Sequence, residues 1–137
     1  MQRAPLTAIL ATAAATAVFL AGCARDTMLL ESDIPLPHGM STVRSADIRR
    51  TAGTVSGGTF LLSGAIPSAD DAMKRTADRF LASGWTIVHA DGDSDGAQGV
   101  FVKDQRTVEL DLRRRLIEPR MSSGWMIVRA AAATPRQ

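Results

Sequence analysis

Only one stretch of this chain, Ser68 to Ser83, carries its apolar residues at helical spacing. Ala69, Met73, Ala77, Phe80 and Leu81 form one stripe there, the mark of a helix that buries a single face. Ser68 is placed to cap the helix, with Asp71 three positions on as an aspartate version of the capping box. Asp70 and Asp71 occupy the first turn, where the helix dipole favours acids. Asp70–Lys74 and Asp71–Arg75 are acid-first pairs four apart, each contributing about 0.2–0.5 kcal/mol. Gly84 supplies the stop.

Every other apolar run is short. Thr59 to Ile66 puts Phe60, Leu62 and Ile66 on one face and reads as a strand. A weaker strand precedes it from Val43 to Thr51, joined through Gly53 and Gly57-Gly58. Trp85–Ala90, Gly99–Lys103, Thr107–Arg113 and Trp125–Ala130 follow the helix. In the third of these, Val108, Leu110 and Leu112 alternate with polar residues, as in a sheet with one face in water. Lys103-Asp104-Gln105-Arg106 is short enough for a hairpin turn. The pattern predicts an α+β fold: a small antiparallel sheet of four to six strands, with one amphipathic helix packed on one face.

An eight-residue unit recurs. Ser83-Gly84-Trp85-Thr86-Ile87-Val88-His89-Ala90 returns as Ser123-Gly124-Trp125-Met126-Ile127-Val128-Arg129-Ala130, with six positions identical. The preceding segments differ, so the echo reads as two strands entering one sheet, each with a tryptophan anchoring its first turn. Two short copies do not make a repeat architecture. Phe60, Phe80, Phe101, Trp85 and Trp125 all fall inside predicted elements, which points to core packing.

The first residues have another character. Met1-Gln2-Arg3 carries one positive charge, Ala4 to Leu20 carries none, and small residues close the segment at Ala21-Gly22. This is the layout of a secretory signal over residues 1–22. It is short for a spanning helix, which needs about 20 mostly apolar residues. The chain has one cysteine, Cys23. A lone cysteine makes no internal disulfide, and an exported protein avoids a stray thiol unless it is used.

Leu20-Ala21-Gly22-Cys23 resembles the lipobox of bacterial lipoproteins: leucine three before the cysteine, then two small residues. The resemblance implies a diacylglyceryl group on the Cys23 thiol and cleavage before it, leaving the protein held on the bilayer by lipid. Ala24 in place of aspartate is similar to the pattern of lipoproteins sent to the outer membrane of diderm bacteria. Residues 23–45, with Pro35, Pro37 and Gly39, read as an acylated start and an extended tether, and the alternative is that part of it packs as an edge strand. Residues 46–131 hold the single domain and 132–137 a flexible tail. Without the leader, 15 basic residues face 14 acidic ones, a balance that gives no reason to expect nucleic acid.

Candidate chemistry is sparse. Asp91-Gly92-Asp93-Ser94-Asp95-Gly96 matches the opening of a calcium loop, with Asp91, Asp93 and Asp95 as oxygen ligands. The twelfth position is Val102 and the ninth Gly99, so two closing ligands are missing, and the bland reading is a turn. Arg113, Arg114, Arg115 and Arg120 form a basic cluster suited to anionic lipid headgroups or another polyanion, with Glu109, Asp111 and Glu118 close by. His38 and His89 are far apart, and a structural zinc site lacks donors. Residues 53–57 do not make the nucleophile elbow of esterases, and no phosphate loop is present.

These readings converge on a non-enzymatic envelope lipoprotein, without a cofactor, that binds or scaffolds an envelope protein. The rivals are a weak calcium- or ligand-binding module and a hydrolase with a non-local site. The strand–helix–strands layout is similar to the small envelope modules of barrel-assembly lipoproteins of the BamC type, a likeness of layout only.

Overall fold

A computed structural model describes residues 27–131. The expected signal segment 1–22, Cys23 and the expected tail 132–137 lie outside the described residues. Six strands and one helix follow in order: β1 Met40–Thr51, β2 Thr54–Gly64, α1 Ala69–Ala82, β3 Thr86–Gly92, β4 Gly96–Lys103, β5 Arg106–Arg113 and β6 Ser122–Ala130. They form one sheet in the order β1-β2-β6-β5-β4-β3, with every neighbouring pair antiparallel. The fold is α+β, as the sequence pattern predicts. Among the described residues no helix is long and apolar enough to cross a membrane.

Local chemistry explains the strand joints. At Ala52-Gly53 and Asp104-Gln105 both turn residues have positive φ, between 48° and 81°. Two such residues make the tight turn whose twist matches the flanking strands. The last strand, β6, slots between β2 and β5 and ties the N-terminal hairpin to the β3–β5 meander. Val108, Leu110 and Leu112 point inward from β5, and Met126 and Val128 from β6.

The helix crosses the inner face over β3 and β4 and reaches β5 at its margin. Ala69, Met73, Ala77 and Phe80 are buried, joined by Ala72 and Thr76, whereas Leu81 is exposed and leaves the stripe. Phe80 stacks on Phe101 with ring centroids 3.9 Å apart and meets Trp85 edge-on at 5.4 Å. The Asp70–Lys74 pair forms at 3.3 Å. The Asp71–Arg75 pair does not, because the Arg75 Nε donates to the Asp71 carbonyl. The expected capping box is also absent: the Ser68 hydroxyl turns to the Asp70 carboxylate. The helix start is capped from the β3–β4 turn instead, where the Ser94 and Asp93 carbonyls accept from Ala69 and Asp70 N–H at 2.9 and 3.0 Å.

The helix leaves the β2–β6 half of the inner face uncovered, and the segment before β1 fills it. Leu29, Ile34, Leu36 and Met40 are buried in the same core. The expectation of a free tether through Ser45 is therefore corrected from Thr27 onward. The extended backbone that Pro35 and Pro37 impose serves burial, and β1 begins at Met40, the edge-strand alternative. Edge strand β1 is itself broken by three register shifts, with Asp47 in a left-handed conformation. Bulges of this kind keep an exposed edge from pairing with another chain.

The echoed octapeptides land on opposite faces. Trp85 is 2% exposed and Trp125 46%. Thr86 is exposed where Met126 is buried, and Val88 is exposed where Val128 is buried. With a side-chain period of two, one step of register inverts a strand. A bulge at Val88 in β3 restores the parity, so His89 returns to the outer face. Only one of the two tryptophans anchors the core.

Candidate functional site: the outer face of the sheet

The face of the sheet away from the helix lies in water, and its middle strands alternate large apolar side chains with charged ones. Two rows follow from the strand register. One runs Leu61, Trp125, Asp111, Gln98, Asp91 and the next Thr59, Ile127, Glu109, Val100, His89. Trp125, Ile127, Val100, Glu109, Asp111 and His89 line a shallow depression of about 220 Å³. That is below the range of about 300–1,000 Å³ that encloses a small molecule. The indole of Trp125 is the largest exposed apolar surface on this face.

The polar groups around it are held in place. Asp111 accepts from Gln98 and from Arg113, both at 2.8 Å. Burial works to raise the Asp111 carboxyl, and the bonds from Arg113 and Gln98 together outweigh it, so the group sits below its ordinary range. Arg129 pairs with Glu109. These charges are of both signs and neutralise one another.

A second groove, about 730 Å³, runs between the 27–36 segment and β1. Met28, Leu30, Leu36 and Val43 give it aliphatic walls. Arg50 bridges them by donating to the Leu30 carbonyl at 2.9 Å and the Gly53 carbonyl at 3.2 Å. Among the described residues no hydrogen bond joins a serine to a histidine. His38, before β1, and His89, in β3, sit at opposite edges of the sheet.

The strongest electrostatic cluster is elsewhere. The Asp33 carboxylate accepts from Arg106 at 2.7 and 2.9 Å and from Lys103 at 2.9 Å. The Arg106 bond leads in holding the Asp33 carboxyl well below the usual range, against an opposing effect of burial. Arg106 also donates to the Val55 carbonyl and lies over the Trp85 ring at 4.9 Å, while the indole N–H of Trp85 donates to the Asp33 carbonyl. Perturbed acids flag functional sites, but structural ion-pair networks perturb them too. Here Arg106, Lys103 and Trp85 all donate to protein acceptors, and Asp33 lines neither the outer-face depression nor the groove beside β1. The cluster is a latch that fastens the N-terminal segment to β4 and β5.

The acidic loop has structural work. One Asp93 carboxylate oxygen accepts from the N–H groups of Asp95 and Gly96 at 2.9 Å, and those bonds, Gly96 first, hold its carboxyl below the ordinary range. Asp95 pairs with Arg114 at 2.8 Å, and Asp91 stands on β3 opposite Gln98. Among the described residues no three His, Cys, Asp or Glu side chains converge on a point where a metal would sit.

The basic cluster divides. Arg113 is paired with Asp111 and Arg114 with Asp95. Arg115 and Arg120 extend from the β5–β6 loop beside exposed Leu116, Ile117 and Met121. Sequence reasoning missed Asp33 because its partners are some seventy residues away. It missed the outward turn of Trp125, although strict alternation with buried Met126 and Val128 signals it. Cys23 lies outside the described residues. No protein-family model, curated protein or solved structure matches the chain, so its function rests on the residues themselves.

Proposed function

We propose that this chain is an envelope lipoprotein anchored through Cys23, and that its domain is a non-catalytic module that binds an envelope protein with the outer sheet face. One observation carries the binding surface: Trp125 stands 46% exposed in the interior of the sheet, with Leu61 opposite it on β2 and Ile127 and Val100 lining the same depression. A tryptophan held open to water gives up burial that the core would supply, and such residues dominate the energetics of protein interfaces. The neighbours support this use. Strand backbone fixes the indole, and the charges beside it are already paired, Asp111 with Arg113 and Glu109 with Arg129, so a partner covering the patch would not strand a lone charge.

The anchor rests on Leu20-Ala21-Gly22-Cys23 and on the absence of any second cysteine in the chain. Two acyl chains hold a protein stably on a bilayer where one does so marginally. The outer membrane is the expected address in a diderm cell. Two experiments test the reading. Mass spectrometry of the native protein is expected to find the chain starting at acylated Cys23, and an unmodified thiol refutes the anchor. A photo-crosslinking residue at position 125 or 127 is expected to trap one defined protein in living cells. The same residue at exposed Leu81 on the helix is expected to trap none, and equal yields at the two sites refute the binding face.

A further inference from the structure

The β5–β6 loop, residues 114–121, carries an unusual side-chain set for a solvated connection. Ile117 is fully exposed, Leu116 is 66% and Met121 51% exposed. Arg115 and Arg120 flank them. Loop tips of soluble domains are ordinarily polar, and three aliphatic side chains in water cost burial that the fold does not recover. We propose that this loop is a membrane-docking tip: Leu116, Ile117 and Met121 enter the headgroup–acyl boundary of an anionic bilayer, and Arg115 and Arg120 meet its phosphates.

Three observations commit the surface to lipid. The first is charge. Arg113 and Arg114 are neutralised by Asp111 and Asp95, which leaves Arg115, Arg120 and one acid, Glu118, facing out. The tip is apolar first and modestly cationic second. The second is support. The loop does not flop freely, because Arg115 N–H donates to the Ser122 hydroxyl, Ser122 donates to the Pro119 carbonyl, and that carbonyl accepts from Ile66 N–H. A held tip loses little freedom on insertion. The third is the short link to the anchor. Cys23 lies four residues before Thr27, which Leu36 and Arg79 hold against the domain, a reach of about 14 Å. An acylated Cys23 keeps the domain close to the bilayer and adds a lipid chain to the protein contact, the pairing that makes anchoring stable. This last point rests on the lipoprotein reading. The first two do not.

The test bypasses the anchor. The chain from residue 23 with Cys23→Ser keeps all the described structure and has no acyl chain. It is mixed with vesicles of phosphatidylcholine with or without phosphatidylglycerol. Sedimentation is expected to recover it with the anionic vesicles. Ile117→Asp with Leu116→Asp is expected to lower the partition coefficient at least ten-fold, and Arg115→Gln or Arg120→Gln about five-fold each. Thermal unfolding should stay unchanged, since these side chains are exposed. With no other cysteine present, an environment-sensitive fluorophore on Ile117→Cys is expected to shift to the blue on anionic vesicles, while one on Leu81→Cys does not. No vesicle binding, or binding that survives the double aspartate variant, overturns the proposal. So does equal insertion at the two labelled sites, or self-association abolished by Ile117→Asp without any lipid binding. An unacylated Cys23 in the native protein would refute the anchor and leave these outcomes standing.

Discussion

Replacing Asp33 by alanine tests whether the segment before β1 belongs to the fold. The carboxylate receives three charge-assisted hydrogen bonds, two from Arg106 and one from Lys103, and its side chain is 26% exposed. Lys103 is not stranded by the change, because it keeps the Ser83 carbonyl at 2.8 Å. Arg106 is the side chain that suffers. It is 8% exposed and retains only the Val55 carbonyl and the Trp85 face. A largely buried guanidinium that loses its carboxylate costs about 3 kcal/mol, less than the sum of three separate bonds because water re-enters on the open side. For a domain of this size, that corresponds to a fall in Tm of about 10–20 °C. The exposed Asp111–Arg113 pair is the control, and Asp111→Ala should cost less than about 1 kcal/mol. The latch also predicts a pH dependence. The Asp33 carboxyl is depressed in the folded state. Its contribution is complete above the unfolded value of about 4 and is lost as pH falls through the folded one, so wild type and variant converge in acid. Urea unfolding across pH, with limited proteolysis of residues 27–39, reads both effects. A cost below about 0.5 kcal/mol at neutral pH, with the segment still protected, would refute the latch.

Phe80→Ala removes the ring packed between Phe101 and Trp85 and is expected to cost about 3–5 kcal/mol by thermal unfolding. Gly99→Ala would place a Cβ 2.8 Å from the Met73 sulfur and 2.9 Å from the Phe101 ring. That overpacking is expected to cost about 1–3 kcal/mol, and Met73→Ala on top should recover part of it. Trp125→Ala should change stability by less than about 1 kcal/mol and yet abolish the defined cross-link at position 127. Calcium is expected to leave the Tm unchanged, because Asp93 serves its own turn and Asp95 serves Arg114. A calcium-dependent rise lost in Asp91→Asn would reverse that expectation.

The periodic parts of this fold were legible. Alternation in Thr107–Arg113 predicts a half-buried strand and the structure buries Val108, Leu110 and Leu112. Ser68–Ser83 predicts the helix to within a residue at each end. What failed was non-local. No local pattern announces that Ser94 and Asp93 carbonyls will cap a helix some twenty-five residues earlier, so Ser68 seemed free to do it. The proline-bearing segment before β1 lacks periodicity because it holds only one short 3-10 turn, Leu29–Glu31, and a single bridge between Met28 and Pro35, but Leu29, Ile34 and Leu36 are apolar for the same reason as any core residue. The helix is too narrow to cover six strands, and that vacancy is a property of the sheet as a whole. The candidate surface was half legible. Trp125 shares its octapeptide context with Trp85, and similarity concealed that one residue of register separates core from water.

The latch also bears on how a lipid anchor would work here. A flexible tether of some twenty residues would reach about 65 Å and present every face of the domain to the periplasm equally. With Thr27 hydrogen-bonded to Leu36 and reached by the Arg79 guanidinium at 2.5 Å, three residues remain between Cys23 and the body of the domain. On the lipoprotein reading, the domain then rides at the headgroups in a restricted orientation. The surfaces that can meet a soluble partner are those turned away from the anchor. Lengthening the 23–27 stretch with glycine and serine tests this coupling directly. The insertion precedes Thr27, so every described element keeps its own sequence. If proximity to the bilayer matters, it should weaken contact of the 114–121 loop with lipid in cells and leave cross-linking through position 125 intact. If both survive the insertion unchanged, the short link has no orienting role and the latch serves stability alone.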